Sequence, residues 1–499
     1  MQTLLPKEII NGPNFIGGKW VEGLAGSISV LSPYNNQQIG QVSIPSLEQI
    51  DLAIQVASTA QVTWGKTPAK ERAKVLFNLR TILLREMDSI AHLKSAECGK
   101  TFAEAKAGLM KGIEVLEFAL SIQNLDLGGK VEVSRGVTCE YKREPLGVVA
   151  NITPFNFPAM VPMWTIPIAL ALGNSYIWKP SDKTPLTAIK IANALKEAGL
   201  PDGVFTVLHG GETTVNAIID HPLVKAIGFV GSTKIAKIVY QRGTHLGKRV
   251  LALGGAKNHI ILLPDANPEL SGVGISDSFT GCAGQRCMAA SVLLAVGNVE
   301  AHIEKIIARA SSLKLGEDMG ALITKEQKQF LVAAIERAEK SGAKILLDGR
   351  KTPAPVGSMA GLTTGLSAGN WLGPTVLDVV QTGTEAATNE LFGPILSIIR
   401  CKDISEALRI ENSIPYGNAC SVFTSNGALA DRVINEASTG MVGVNVGVPV
   451  PREPFSFGGI NASKFGQGDI TGHQSLDLWS NTKKITTKWE LQSDSNWMS

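Results

Sequence analysis

Residues 281–287 read GCAGQRC and hold the two cysteines that stand nearest each other in the chain, Cys282 and Cys287. Their spacing admits three readings: a metal pair, a disulfide, or one nucleophile with a bystander. A nucleophilic cysteine needs its thiolate, and a thiolate needs a nearby cation or a helix N-terminus. Arg286 adjoins Cys287, and the residues before it are small enough to form a compact loop. Attack on a carbonyl also needs donors for the oxyanion that forms. The backbone N–H of Cys287 is one, and the TPFNFP stretch supplies a side-chain amide, Asn156, in the turn after a strand-like run. Cys282 reads as a buried small hydrophobe, the ordinary fate of a lone cysteine.

A second group of residues could hold a nucleotide. The glycine-rich GxGxxG spacing is absent after the strand-like runs. FVGSTKIAK instead places Gly231, Ser232 and Thr233 between a strand and a helix. A helix N-terminus with free N–H groups can take a pyrophosphate behind a single glycine. Alone this is a weak signal, since a serine there is usually just an N-cap. Upstream, WKPSDKTP puts Lys179 and Asp182 at the C-terminal end of a strand, where open parallel sheets bind ligands. Lys179 can bond ribose hydroxyls or a phosphate, and Asp182 can accept from a ribose 2′-hydroxyl. That favours NAD over NADP, although Lys183 next to it blurs the preference.

These residues need a scaffold. A chain of 499 residues exceeds one ordinary core and implies at least two domains. Eighteen per cent charged and 44% hydrophobic residues describe a well-buried globular chain rather than a disordered one. The net charge is only +3, with no basic block, so nothing points to a nucleic-acid partner. The six cysteines are scattered without a CxxC and the seven histidines without an HExxH, which argues for reduced thiols in a cytoplasmic setting and against a metal site. The N-terminus carries no signal-peptide pattern. The apolar run at 157–172 is too short to span a bilayer and contains Pro158, Pro162 and Pro167, so it reads as a buried helix.

Short strands are expected at 15–45 and helices from about 46 to 123. From Gly147 strand and helix alternate (GVVANITP, NSYIWKP, VFTVLHG and VKAIGFVGS as strands), the rhythm of a parallel, doubly wound sheet. A second mixed series runs to about Phe457. The stretch around 125–145 and the tail LDLWSNTKKITTKWEL alternate like exposed strands with no intrachain partner evident, so they are expected to meet another subunit.

TPFNFP, WKPSDKTP, FVGS, LGGAKN, GCAGQRC and NELFGPI occur in the order and spacing of the aldehyde dehydrogenase superfamily, over nearly the whole chain. PFNFPAMVP, GAKNH, AGQRCMA and GVNVGVPVPREPFSF resemble its methylmalonate-semialdehyde dehydrogenase branch. The resemblance implies a Rossmann-type NAD domain (1–124 and 146–258), an α/β catalytic domain (259–462) and a β oligomerisation arm (125–145 and 463–499) of a homodimer or homotetramer. It implies Cys287 as the nucleophile that becomes a thioester, with Asn156 as oxyanion donor. Glu390 falls on the position that holds the nicotinamide ribose. Thr153, Phe155, Lys179, Asp182, Lys183, Ser232 and Gly254 fall on cofactor-contacting positions, with Asp182 where the family usually has glutamate.

Hydrolytic members carry Glu-Leu-Gly-Gly, whose glutamate activates water. Here the stretch is RVLALGGAKNH, so Ala252 or Leu253 stands in that place, and no acid occurs from Gly247 to Pro264. Base catalysis contributes about 10² to 10⁴ in rate. A thiol needs less help, because a few per cent is already ionised and thiolates are strong nucleophiles. The loss therefore points to coenzyme A as acyl acceptor. For the carboxylate of an acidic aldehyde, Arg286 matches the branch, whereas Lys111 stands where a second arginine is expected. Lysine keeps the charge without the bidentate fork. The competing readings are a hydrolytic aldehyde dehydrogenase, a catalytically idle relative and a cysteine hydrolase, the last lacking any histidine placed by a recognisable motif.

Overall fold

The computed structural model describes residues 5–6, 8–124, 127–355 and 366–489. Its larger sheet has eight strands. Five are parallel: Val148–Ile152, Ser175–Lys179, Phe205–Val207, Val224–Val230 and Arg249–Leu253. Val148–Ile152 lies in the middle. The next two strands in sequence extend the sheet to one side and the last two to the other. The strand order thus reverses between Ile152 and Val230, which creates a crevice at the strands' carboxyl ends. The hairpin Asn14–Ile16 and Lys19–Val21 closes one edge, pairing Phe15 with Val207.

The second sheet has seven strands, six of them parallel. Its first strand in sequence, Asn258–Leu262, begins five residues after the last parallel strand of the first sheet ends and lies beside the central strand. The chain therefore passes between the two sheets through Gly254–Lys257, and the loop Gly281–Ala289 leads into the adjacent strand Ala290–Val296.

Two twenty-residue helices open with capping boxes. Leu47–Lys66 opens with a capping box in which Ser46 and Gln49 bond each other's backbone N–H, and Phe102–Ser121 opens with the same device from Thr101 and Glu104. Phe102–Ser121 buries Leu109, Ile113, Leu116 and Ala119 in the largest core cluster. The apolar run at 157–172 is buried, but it forms two short helices, Met160–Met163 and Ile166–Ala171, rather than one. Proline cannot donate a helical hydrogen bond: Pro162 sits inside the first helix, and Pro167 sits in the first turn of the second, where no helical donor is needed, so the break falls between them. Among the described residues no helix is long and apolar enough to cross a membrane.

The arm differs from expectation in its pairing. The tail strand Ser480–Lys488 is not an unpaired edge. It runs antiparallel to Val137–Pro145 from Ser480↔Pro145 to Lys488↔Val137, and Gly128–Ser134 completes a three-stranded sheet. The alternation in both segments reflects each other's company. Residues 125, 126 and 490–499 of the arm lie outside the described set. Nor does everything after 463 project. Lys464–Phe465 pairs with Leu253 and Ala252 at the edge of the large sheet, and Leu476, Leu478 and Trp479 are buried in its core.

Candidate active site

Cys287 follows a turn of unusual conformation. Cys282 (φ 54°), Ala283 (φ 52°) and Gly284 (φ 68°) are consecutive left-handed residues. For a residue with a Cβ such a conformation costs about 1–3 kcal/mol and persists only when its surroundings impose it. The surroundings here are specific. A Cβ at Gly284 would lie 2.1 Å from Gly393 O, so this turn packs directly on the LFGP segment. The Cys282 N–H donates to Glu104 Oε1 at 2.5 Å, so the glutamate that caps helix Phe102–Ser121 also anchors the cysteine turn. Beyond it, the Cys287 carbonyl accepts from Asn258 Nδ2 at 2.7 Å and Asn418 Nδ2 at 2.9 Å. Asn258 ends the LGGAKN stretch but no role is legible for it, and Asn418 is marked by no pattern, whereas the Thr101–Glu104 spacing is a readable capping signature.

Asn156 is buried, and its Nδ2 donates to Gln285 O at 2.9 Å, two residues before Cys287. The amide thus reaches the cysteine loop from the turn after strand Val148–Ile152. An amide nitrogen has a second hydrogen with which to meet an oxyanion.

The thiol environment departs from the reading based on adjacency. Burial, with Glu390 adding to it and Arg286 and Lys100 opposing, pushes the Cys287 thiol up to about 12. The Arg286 side chain turns back, its Nη2 donating to the carbonyls of Asp277 and Ser278 at the end of helix Pro268–Thr280. A neighbour in sequence is therefore not the dominant neighbour in space. Cys282 is not a bland hydrophobe either: it is buried, with Lys100 Nζ 3.1 Å from its sulfur, and that ammonium also sits 3.3 Å from the centroid of the Phe157 ring. Both cysteines are free thiols.

On one side of Cys287 lies the crevice between the parallel strands. Thr153 follows the central strand and its Oγ1 accepts from Trp178 Nε1 at 2.9 Å. Lys179 is buried at the end of its strand, and Nζ donates to Gly210 O at 2.8 Å; burial lowers its pKa and Asp182 opposes the shift. Ser232 occupies the N-cap of helix Thr233–His245 without a side-chain capping bond, so its hydroxyl is not consumed by the cap. Gly254 N donates to Ser463 O at 2.9 Å, and a Cβ there would lie 2.9 Å from Thr233 Oγ1. A Cβ at Gly255 would lie 2.2 Å from Glu390 Oε2. Glu390 accepts from the Ala256 N–H at 3.0 Å, and burial pushes its carboxyl up to about 7. A carboxylate from the second sheet thus closes on the glycine turn of the first. Phe155 meets Phe392 edge to face at 5.9 Å between centroids. Asp182 and Lys183 are exposed and line a groove of about 970 Å³ that continues along helix Lys325–Lys340.

On the other side lies a cavity of about 370 Å³. This smaller space, unlike the groove, opens on both Cys282 and Cys287. Phe157, Met160, Trp164 and Phe457 supply apolar wall, and Lys111, Arg286 and Arg452 supply cations. Lys111 forms an ion pair with Glu114 on its own helix. Ala252 and Leu253 are buried within their strand, and no acid replaces them from that segment.

The family model described as the aldehyde dehydrogenase family matches residues 20–485. The chain belongs to the aldehyde dehydrogenase family. Among its curated relatives, malonate-semialdehyde dehydrogenase 2 of Geobacillus kaustophilus is 39% identical over 95% of this chain and 98% of its own length. The malonate-semialdehyde dehydrogenase of Halalkalibacterium halodurans is 38% identical over the same shares. The crystal structure of methylmalonate-semialdehyde dehydrogenase from Oceanimonas doudoroffii superposes with a TM-score of 0.93 at 35% identity, covering 97% of this chain and 99% of that one. A Sinorhizobium meliloti 1021 family structure complexed with NAD gives 0.93 at 35% identity, covering 98% and 99%. This aldehyde dehydrogenase therefore shares both fold and length with these relatives.

Proposed function

We propose that the chain oxidises malonate or methylmalonate semialdehyde with NAD and passes the acyl group, after loss of carbon dioxide, to coenzyme A. The observation that carries this reading is the apolar pair Ala252 and Leu253 where a water-activating acid would stand, beside a cysteine cavity lined with cations. The names borne by the curated relatives support the substrate class.

The residues of the crevice suit a dinucleotide. A free hydroxyl and first-turn N–H groups at Ser232 can receive phosphate, and Lys179 and Glu390 can bond ribose hydroxyls. Bound there, NAD supplies the hydride acceptor. The protein's own residues do the rest. Cys287 adds to the aldehyde carbon, and the Asn156 amide and the Cys287 N–H stabilise the oxyanion. Loss of hydride leaves a thioester on Cys287. A malonyl-type thioester has its carboxylate β to the acyl carbonyl, so the bond to that carboxylate breaks, carbon dioxide leaves, and a proton takes its place. The thiolate of coenzyme A then attacks the thioester, giving acetyl-CoA or propionyl-CoA and restoring the Cys287 thiol.

A hydrolytic second reading draws on one observation. Glu390, with its carboxyl near 7, is the acid whose charge acts on Cys287, and a base of that pKa could activate water. Product analysis with and without coenzyme A separates the two: CoA thioester formation supports the first, and free acid formed equally fast without it supports the second.

The paired arm is read as an oligomerisation element. It carries exposed Val131 and Val133 on a strand with one open edge, and such an edge seeks a partner.

A further inference from the structure

The three cations of the cysteine cavity are not equivalent. Arg286 is committed to the carbonyls of Asp277 and Ser278. Lys111 is committed to Glu114, and its charge also acts on the Glu453 carboxyl. The backbone carbonyl of Arg452, in the VPREPF loop that forms the opposite wall, accepts from Phe455 N–H at 2.9 Å, but the Arg452 guanidinium has no hydrogen-bond or ion-pair partner among the described residues. The acids of the same lining do not satisfy it. Glu104 is held by the N–H groups of Thr101 and Cys282, and burial raises the pKa of Glu453 towards its neutral form.

The cavity therefore has an apolar interior next to the cysteines and one uncommitted guanidinium in its wall. A short aldehyde with a terminal carboxylate matches that distribution: its carbonyl faces the thiol and its anionic end faces the guanidinium. We propose that Arg452 is a specificity-determining residue that grips the substrate carboxylate, supplying from the loop the bidentate fork that Lys111 cannot supply from the helix. Arg452 is exposed, so part of its attraction is screened by water, and its contribution to binding is correspondingly limited.

This inference rests on the acidic-aldehyde reading, and the test keeps the two apart. Steady-state constants are measured for malonate semialdehyde and for propanal with the wild type, Arg452→Leu and Arg452→Lys. The wild type is expected to favour malonate semialdehyde. Arg452→Leu is expected to raise its KM roughly three- to fivefold, with the KM for propanal unchanged, and Arg452→Lys to recover part of the loss. A wild type with no preference for the acidic aldehyde overturns the substrate reading and the role of Arg452 with it. A wild type that does prefer it, combined with an Arg452→Leu variant that shifts neither substrate or shifts both equally, overturns Arg452 alone. Because Arg452 lies at the surface, matching thermal melting curves will separate a lost contact from a lost fold.

Discussion

The two sides of Cys287 are built on different plans. On the crevice side most residues sit at the ends of parallel strands (Thr153 after Ile152, Gly231 after Val230, Gly254 after Leu253, and Lys179 the last of its own), with Glu390 reaching in from the second sheet's side. Strand order brings them together, and short bonds such as Lys179 to Gly210 fix them. On the cavity side the residues come from a helix (Lys111), a turn (Arg286) and a distant loop (Arg452), and only their convergence in three dimensions makes a site. A cofactor site inherited from topology tolerates change in any one loop, whereas a substrate site made by convergence can be retuned at a single position.

The contrast can be broken most severely at the cysteine shared by both sides. Cys287→Ala should abolish aldehyde oxidation while NAD still binds, as followed by fluorescence titration, and Cys282→Ala should keep most activity. The opposite pattern would transfer the chemistry to the thiol that lies beside Lys100. Next, Asn156→Ala should lower kcat by about 10² to 10³, the usual cost of one oxyanion donor. Near wild-type turnover would leave the backbone amides as sufficient.

A smaller effect sharpens the crevice side. The Glu390 carboxyl is raised from 4.5 to about 7 by burial. Stability linked to its neutral form is complete below the unfolded pKa and is lost as pH rises through about 7. The loss amounts to at most about 3 kcal/mol. Glu390→Gln should therefore flatten the decline in melting temperature between pH 5 and 8. An unchanged slope would mean that the carboxyl is not buried as described. Smallest for the chemistry is truncation after Trp479, which strips Val137–Pro145 of its partner strand. Sedimentation should show a lighter species, and an unchanged mass would count against the arm as an assembly element.

Much of the crevice was legible in the sequence because strand and helix periodicities are local, and the loops that follow strands inherit their positions. The paired arm was half legible. Alternation revealed both strands but not that they partner each other across more than 300 residues, since register between distant segments leaves no local trace. The prolines at 162 and 167 were visible, yet their effect as breaks rather than kinks depended on packing. The charge state around Cys287 was least legible. Arg286 adjoins the thiol in sequence, but its guanidinium spends itself on helix carbonyls while Glu390, 103 residues later, acts on the sulfur. Arg452 shows the same limit: it lies in the GVNVGVPVPREPFSF stretch that resembles the branch, but nothing local to that stretch gives its side chain a role.

The central claim is that acyl release waits for a thiol because Ala252 and Leu253 stand where a water-activating acid would be. Rapid mixing of the enzyme with NAD and malonate semialdehyde, followed at the NADH absorbance with products identified by mass, tests it most directly. Without coenzyme A the account predicts a burst stoichiometric with enzyme and then a stall, and adding coenzyme A should restore turnover with acetyl-CoA as product. Linear NADH formation without coenzyme A, accompanied by free acid at the same rate, would contradict it.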